Sequence, residues 1–262
     1  MSARIRALVR ACHPEPTVAV TAVSAALAAG AGRNVPLIAA AVLAGQLSVG
    51  WDNDAVDASR DVASGRADKP VVRGHVTART LRVAAVGAFA LCVPLSLLSG
   101  GYGVLHVVAV ASAWSYNRPL KSTPLSVVPY LVSFALLVAF VVGSPGPWWL
   151  LTAAALLGAG AHFANALPDL EDDAATGVRG LPHRLGRTGS TAAASLLLLA
   201  ASLCLALGPA GGARWFGVAA SVAAVVILGA GVVLGGRAPF RAVLVVAVLD
   251  VALLLASGPL AT

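Results

Sequence analysis

Asn53-Asp54-Ala55-Val56-Asp57-Ala58-Ser59-Arg60-Asp61 closes one long apolar run, and Asn165-Ala166-Leu167-Pro168-Asp169-Leu170-Glu171-Asp172-Asp173 closes another. Both read Asn-x-x-x-Asp-x-x-x-Asp. Helical residues four apart differ by about 40° in direction, so each stretch is expected to gather one amide and two carboxylates on a single helix face. Acids beside membrane-length apolar segments are costly and mark functional sites by default. Oxygen donors at this density suit a hard divalent cation, Mg²⁺ above all.

The surrounding chain is of one kind. Of its 262 residues, 58% are hydrophobic and only 11% charged, with a mean hydropathy of +0.87, which excludes an ordinary soluble domain and predicts an integral membrane protein. The net charge of +7 does not point to nucleic acid, because the basic residues lie in short loops and form no stripe with interleaved aromatics. Loops held at an anionic lipid surface explain them better. Cys12, Cys92 and Cys204 are far apart with no C-x-x-C pair, so neither a disulfide nor a zinc site is expected. Residues 1–16, with Arg4, Arg6 and Arg10, superficially resemble a signal peptide. The next apolar run begins within a few residues and many follow, so a retained first helix is expected.

Apolar runs near 18–31, 35–50, 83–98, 104–113, 125–142, 148–164, 191–207, 216–234 and 242–256 predict nine transmembrane helices in one all-α bundle, a single domain over 1–262. With a cytoplasmic N-terminus, 16 of the 18 Lys and Arg residues fall on the cytoplasmic side and only Arg33 and Arg214 outside, which also puts the C-terminus outside. The acidic motifs then occupy the cytoplasmic ends of the second and sixth spans. Asn53 and Asn165, Asp57 and Asp169, and Asp61 and Asp173 are each 112 residues apart, with four spans between, the pattern of a parallel internal repeat. Many transporters use inverted repeats around a midplane site, whereas a parallel repeat turns both motifs to one membrane surface. A cation or metabolite transporter is therefore the weaker alternative.

Facing carboxylates repel, and a metal held by few carboxylates completes its shell with substrate phosphates. The neighbouring loops hold the complementary charges: Arg66, Lys69 and Arg73 after the first motif, Arg179 and Arg184 after the second, and Arg118 and Lys121 between. Acids for metal, bases for anionic oxygens and apolar spans around them describe an isoprenoid diphosphate site.

These residues resemble the UbiA-type family of intramembrane prenyltransferases. The stretch 53–61 fits that family's N-D-x-x-D-x-x-x-D signature. Arg66-Ala67-Asp68-Lys69-Pro70-Val71-Val72-Arg73-Gly74-His75-Val76-Thr77 is similar to its continuation, with Lys69 where Arg is usual. Ser115-Tyr116-Asn117-Arg118-Pro119-Leu120-Lys121 resembles the segment after its fourth helix, and 165–173 with Gly177, Arg179 and Arg184-Leu185-Gly186 its second motif. The resemblance implies an enzyme that transfers a prenyl group from an isoprenoid diphosphate to a small aromatic or quinone-precursor acceptor within the membrane. Same-fold alternatives are a non-aromatic acceptor or intramolecular cyclisation. It implies Mg²⁺ on Asn53, Asp54, Asp57, Asp61, Asn165, Asp169 and Asp173, with Asp57, Asp61, Asp169 and Asp173 catalytic. Arg66, Lys69, Lys121 and Arg179 would bind the diphosphate. No nucleic acid or protein partner is implied. Pro168 stands where members making menaquinone precursors usually have Arg, and its ring is expected to bend the helix.

Helix geometry separates similar acids. Relative to the Asn of each motif, Asp54 lies near 100° and Asp172 near −20°, while Asp52 near −100° and Glu171 near −120° point away, so that loss of either charge is expected to leave turnover nearly unchanged. Asp250, in the last run, could line a cavity or hydrogen-bond a neighbouring helix. Tyr116 could offer its π face to a cation or sit in an interfacial belt with Trp148 and Trp149. His106 and His162 read as interhelical hydrogen-bonders.

Overall fold

The computed structural model describes residues 3–66, 69–209 and 215–256. Ala67, Asp68, Arg214 and residues 257–262, which carry part of the first basic loop and of the outer-side reading, lie outside them. Among the described residues the chain is all helical: α1 (Ala3–Ala11), α2 (Pro14–Gly30), α3 (Val35–Ala63), α4 (Ala78–Leu98), α5 (Gly103–Asn117), α6 (Val128–Val142), α7 (Trp148–Ala166), α8 (Leu170–Ala175), α9 (Leu181–Leu207), α10 (Trp215–Leu234) and α11 (Ala238–Ala256). Two 3-10 turns, Leu120–Ser122 and Pro124–Val127, join α5 to α6.

Helix starts follow local chemistry. The Asn34 side chain accepts from Leu37 N at 3.2 Å to begin α3, and Thr77 accepts from Thr80 N at 3.1 Å to begin α4. Each takes up an amide that the first turn leaves without a helical partner. At the far end of α6, Gly143 adopts a left-handed φ of 70° and closes the helix through bonds to Ala139 O and Phe140 O. The Arg33 guanidinium lies over Gly143 and donates to Ser99 O at 2.6 Å. One of the two bases assigned to the outer side thus ties three loops together.

Among the described residues six stretches are long and apolar enough to cross a membrane: Val35–Ala63, Ala78–Leu98, Pro124–Val142, Leu181–Leu207, Trp215–Leu234 and Ala238–Ala256. The shorter α2 and α5, together with α7, pack between them. All nine apolar runs of the sequence fall on helices, and the architecture is that of a multi-pass membrane protein. Neighbours in sequence are neighbours in space from α2 to α7, then α9, α10 and α11, and the ring closes where α11 meets α2. Its shared core is built by Leu27, Ile38, Val42, Phe140, Leu150, Phe163, Leu198, Leu205 and Val243. Trp149, read from sequence as a belt residue, is instead packed into this core, whereas Trp148 is exposed. Adjacent residues near a helix start point about 100° apart, so only one of the pair faces lipid.

Candidate functional site

The first motif rides on α3, which runs unbroken for 29 residues. Asn53, Asp57 and Asp61 line one wall of a cavity of about 1080 Å³. Asp57 is held from both sides: Arg60, one turn on, pairs with Oδ1, and Lys121 Nζ donates to Oδ2 at 2.6 Å. Asp61 is only 7% exposed and makes no ion pair of its own among the described residues. Asn53 donates through Nδ2 to Asn117 Oδ1 at 3.2 Å, which leaves its own carbonyl oxygen as an acceptor.

Two acids of this stretch leave the cavity. Asp54, about 100° round the helix from Asn53, turns to the corner between α1 and α2 and does not line the cavity, so the structure separates it from the other members of the expected ligand set. Asp52 also points away from the cavity but is fully buried. It accepts from Arg118 Nη2 at 2.6 Å and from Asn117 Nδ2 at 3.1 Å, so that its charge bears on stability, away from the chamber.

The second motif is not one helix, which corrects the single-face expectation. Pro168 has no N–H to give to Ala164 O, so α7 stops at Ala166. The chain tightens through i→i+3 bonds, Leu167 N to Ala164 O and Asp169 N to Ala166 O, and α8 begins at Leu170. Asn165 lies in the last turn of α7, Asp169 precedes α8 and Asp173 lies within it, yet all three line the same cavity as the first motif, with Asp172 beside them. The Asp169 side chain is 41% exposed and Asp173 23%, against 12% for Asp57. Arg66 Nη1 donates to Asp169 Oδ2 at 3.4 Å and links the two motifs. Glu171 points out at 88% exposure and meets Arg187 at 3.4 Å.

Of the bases expected to meet an anion, Arg66, Lys69 and Lys121 line the cavity and Arg179 does not. Arg179 is exposed, and its carbonyl accepts from Arg184 Nε at 3.1 Å. Arg73, noted with them in the first basic loop, lines it too, and Arg60 and His183 join the lining. Arg60 could have been found from its place one turn after Asp57. His183 carried no local signal: it reaches the site because α9 returns beside α8, which sets its Nε2 3.4 Å from Asp173 Oδ2.

Away from these charges the lining turns apolar and aromatic, with Val49, Ala109, Val110, Tyr130, Phe134 and Leu137. Tyr116 lines the cavity, its ring edge-on to Tyr130 at 5.1 Å, rather than sitting in a belt. His106 and Ser96 lie 2.7 Å apart, and His162 and Ser126 3.0 Å apart, as bridges between elements, while both rings also border the cavity. Asp250, on α11, accepts from Ser202 of α9 and does not line the cavity.

Fold and site define a class: a multi-pass helical membrane protein with a cavity that is charged at one part of its wall and apolar and aromatic at another. The chain belongs to the UbiA prenyltransferase family, which it matches over residues 17–237. It is 33% identical over 172 residues to the digeranylgeranylglyceryl phosphate synthase of Methanopyrus kandleri. That match takes in 63% of this chain and 62% of the relative, so it spans less than two thirds of the relative's length. Two solved structures share the fold. A UbiA homolog from Archaeoglobus fulgidus bound to GPP and Mg²⁺ superposes with a TM-score of 0.70 at 16% identity, covering 95% of this chain and 98% of that one. A digeranylgeranylglyceryl phosphate synthase structure gives 0.71 at 14% identity, covering 97% and 98%.

Proposed function

We propose that the protein transfers a prenyl group from an isoprenoid diphosphate to a small acceptor at the membrane, with Mg²⁺ as its metal. The observation that carries this reading is that Asn53, Asp57, Asp61, Asn165, Asp169 and Asp173 all border one chamber whose remaining wall is apolar and aromatic.

The donor chemistry fits the metal. Those six side chains offer oxygen to a cation, and Asp61 is buried with no ion pair of its own among the described residues. Among the described residues no three His, Cys, Asp or Glu groups converge closely enough to hold an ion by themselves. A Mg²⁺ site of one or two carboxylates completed by substrate phosphates has that character. When bound, the metal neutralises the carboxylates and draws charge from the diphosphate oxygens. Asn53, Asp57 and Asp61 on one wall, and Asn165, Asp169 and Asp173 on the other, are the oxygen donors from which such a site would be drawn.

The protein's bases do the rest of the electrostatic work. Arg66, Lys69 and Lys121 stabilise the charge that grows on the diphosphate as the allylic C–O bond breaks and its electron pair leaves with the phosphate. Tyr116 and Tyr130 present π-rich surface to the electron-poor prenyl carbon. The apolar wall takes the hydrocarbon tail and excludes water that would otherwise capture that carbon. The acceptor oxygen or carbon forms the new bond and loses its proton.

For the acceptor, the M. kandleri relative's name favours a glyceryl phosphate compound over the aromatic or quinone precursor suggested by motifs alone. Six lining bases, Arg10, Arg60, Arg66, Lys69, Arg73 and Lys121, fit an acceptor that carries its own phosphate. The parallel repeat, nine crossings, a cytoplasmic N-terminus and an external C-terminus complete the reading and rest on the division of basic residues.

The test uses protein in nanodiscs with Mg²⁺, prenyl diphosphates of several lengths and both acceptor types, followed by mass spectrometry. Metal-dependent diphosphate release with a prenylated glyceryl phosphate product is expected. Undiminished release in excess chelator, or none from any prenyl diphosphate, defeats the proposal. Cysteine labelling should find positions near Asp57 and Asp173 on the same membrane face.

A further inference from the structure

Asp54 does not border the cavity, yet its side chain is only 2% exposed. A carboxylate buried so deeply requires charged or hydrogen-bonding partners. Its Oδ1 accepts from Lys69 Nζ at 2.7 Å and from His13 Nε2 at 3.0 Å. Lys69 belongs to the loop between α3 and α4, and His13 to the corner between α1 and α2. Both partners border the cavity. Asp54 therefore reaches the chamber only through the groups it holds.

The corner it grips is fastened independently. Trp51 Nε1 donates to Leu8 O at 2.9 Å, and Thr17 Oγ1 donates to Cys12 O at 2.8 Å. Gly50 lies against the Cys12 backbone, where an added Cβ would stand 2.8 Å from its carbonyl carbon. His13 holds φ 54°, the sole left-handed non-glycine conformation among the described residues. Such a conformation is unfavourable for an L side chain and persists where surrounding contacts over-determine it. A fixed corner on one side and a lysine on a loop on the other make Asp54 the strut between them.

We propose that Asp54 is a positioning residue, not a metal ligand: it ties Lys69 to the α1–α2 corner and so holds the lysine ammonium at the cavity wall, ready for the diphosphate. The proposal rests on reading the chamber as a diphosphate site. An ammonium has three N–H donors, and the bond to Asp54 leaves two for phosphate oxygens. Without the strut the flexible four-carbon stem has to be ordered at the moment of binding, which weakens affinity and leaves the chemical step largely untouched.

The test compares wild type, Asp54→Asn, His13→Ala and the double variant in nanodiscs, with Asp57→Asn as reference. Two measurements are made: KM, kcat and the Mg²⁺ concentration for half-maximal turnover, and hydrogen exchange at residues 69–76 without substrate. Asp54→Asn is expected to raise KM for prenyl diphosphate about tenfold, the loss of one ordered side chain, with kcat and the Mg²⁺ requirement near wild type. Exchange at 69–76 should quicken. His13→Ala should act in the same direction, and the double variant should be no worse than Asp54→Asn, because both partners act through one oxygen. If Asp54→Asn shifts the Mg²⁺ requirement and lowers kcat as Asp57→Asn does, Asp54 is a ligand and the proposal is wrong. Unchanged exchange at 69–76 overturns it as well. If wild type releases no diphosphate, the reading of the chamber falls together with the diphosphate half of this inference, while exchange still reports whether Asp54 orders the loop.

Discussion

The two acidic motifs share one spacing and differ in almost everything that the backbone and its surroundings decide. The first lies on an unbroken helix, and its Asp57 is clasped by Arg60 and Lys121 at 12% exposure. The second is split by Pro168 into a helix end, a turn and a six-residue helix, and its Asp169 is 41% exposed. Equal spacing thus leads to equal placement, since both motifs reach one chamber, but by different local geometry. A continuous, more deeply buried wall faces a more open one. The difference teaches that an Asn-x-x-x-Asp-x-x-x-Asp pattern encodes a helix face only while the helix lasts.

The largest expected effect tests whether the walls are equal in function despite this. Alanine at Asp57, Asp61, Asp169 or Asp173 should each lower kcat by about a thousandfold, the scale of losing one group that stabilises developing charge. Turnover measured on folded variants decides it. Near-normal activity for either motif's pair would make the chamber one-sided.

Pro168→Ala sharpens the comparison by removing its cause. Restoring an N–H lets α7 run on and rotates Asp169 and Asp173 away from their present directions. Turnover should fall about tenfold or more, because small displacements of positioning groups are costly. Slower hydrogen exchange across residues 167–169 should accompany it. Unchanged exchange there would mean that tertiary contacts, and not the prolyl ring, end the helix.

Asp52→Asn probes the buried side of the first motif. The helix wheel leaves turnover nearly unchanged, and the structure pairs Asp52 with Arg118 and Asn117 in full burial. Removing the charge should cost roughly 1–2 kcal/mol of stability, less than for a fully buried pair because Arg118 is half exposed. Thermal unfolding should register it, with kcat at saturating substrate little changed. A wild-type melting curve would mean that the charge of Asp52 does not bear on stability.

The smallest effect is Glu171→Gln. Its contact with Arg187 is a surface pair worth about 0–1 kcal/mol, and its side chain faces away from the chamber. Activity and stability should both stay near wild type. Damage equal to that of Asp173→Ala would show that α8 does not present its acids as described.

Sequence by itself determined the membrane class, the helical positions of all nine apolar runs and the two motifs that meet in the chamber. These are properties of composition, of hydrogen bonding within a few residues and of the acids' rarity in apolar surroundings, and each can be read without knowing what packs against what. Even the break in the second motif was foreshadowed by Pro168, since a missing N–H is a local fact. Only the tertiary structure decided which like residues part company. Asp54 and Asp57 are three residues apart in one helix, but one holds a corner 41 residues upstream while the other faces the chamber with Lys121. Arg66 reaches Asp169 across 103 residues, His183 arrives because α9 turns back, and Arg179, equally basic, stays in solvent. Charge and spacing propose such partners, but the choice among them belongs to the packing of helices that are distant in sequence, and no local pattern contains it.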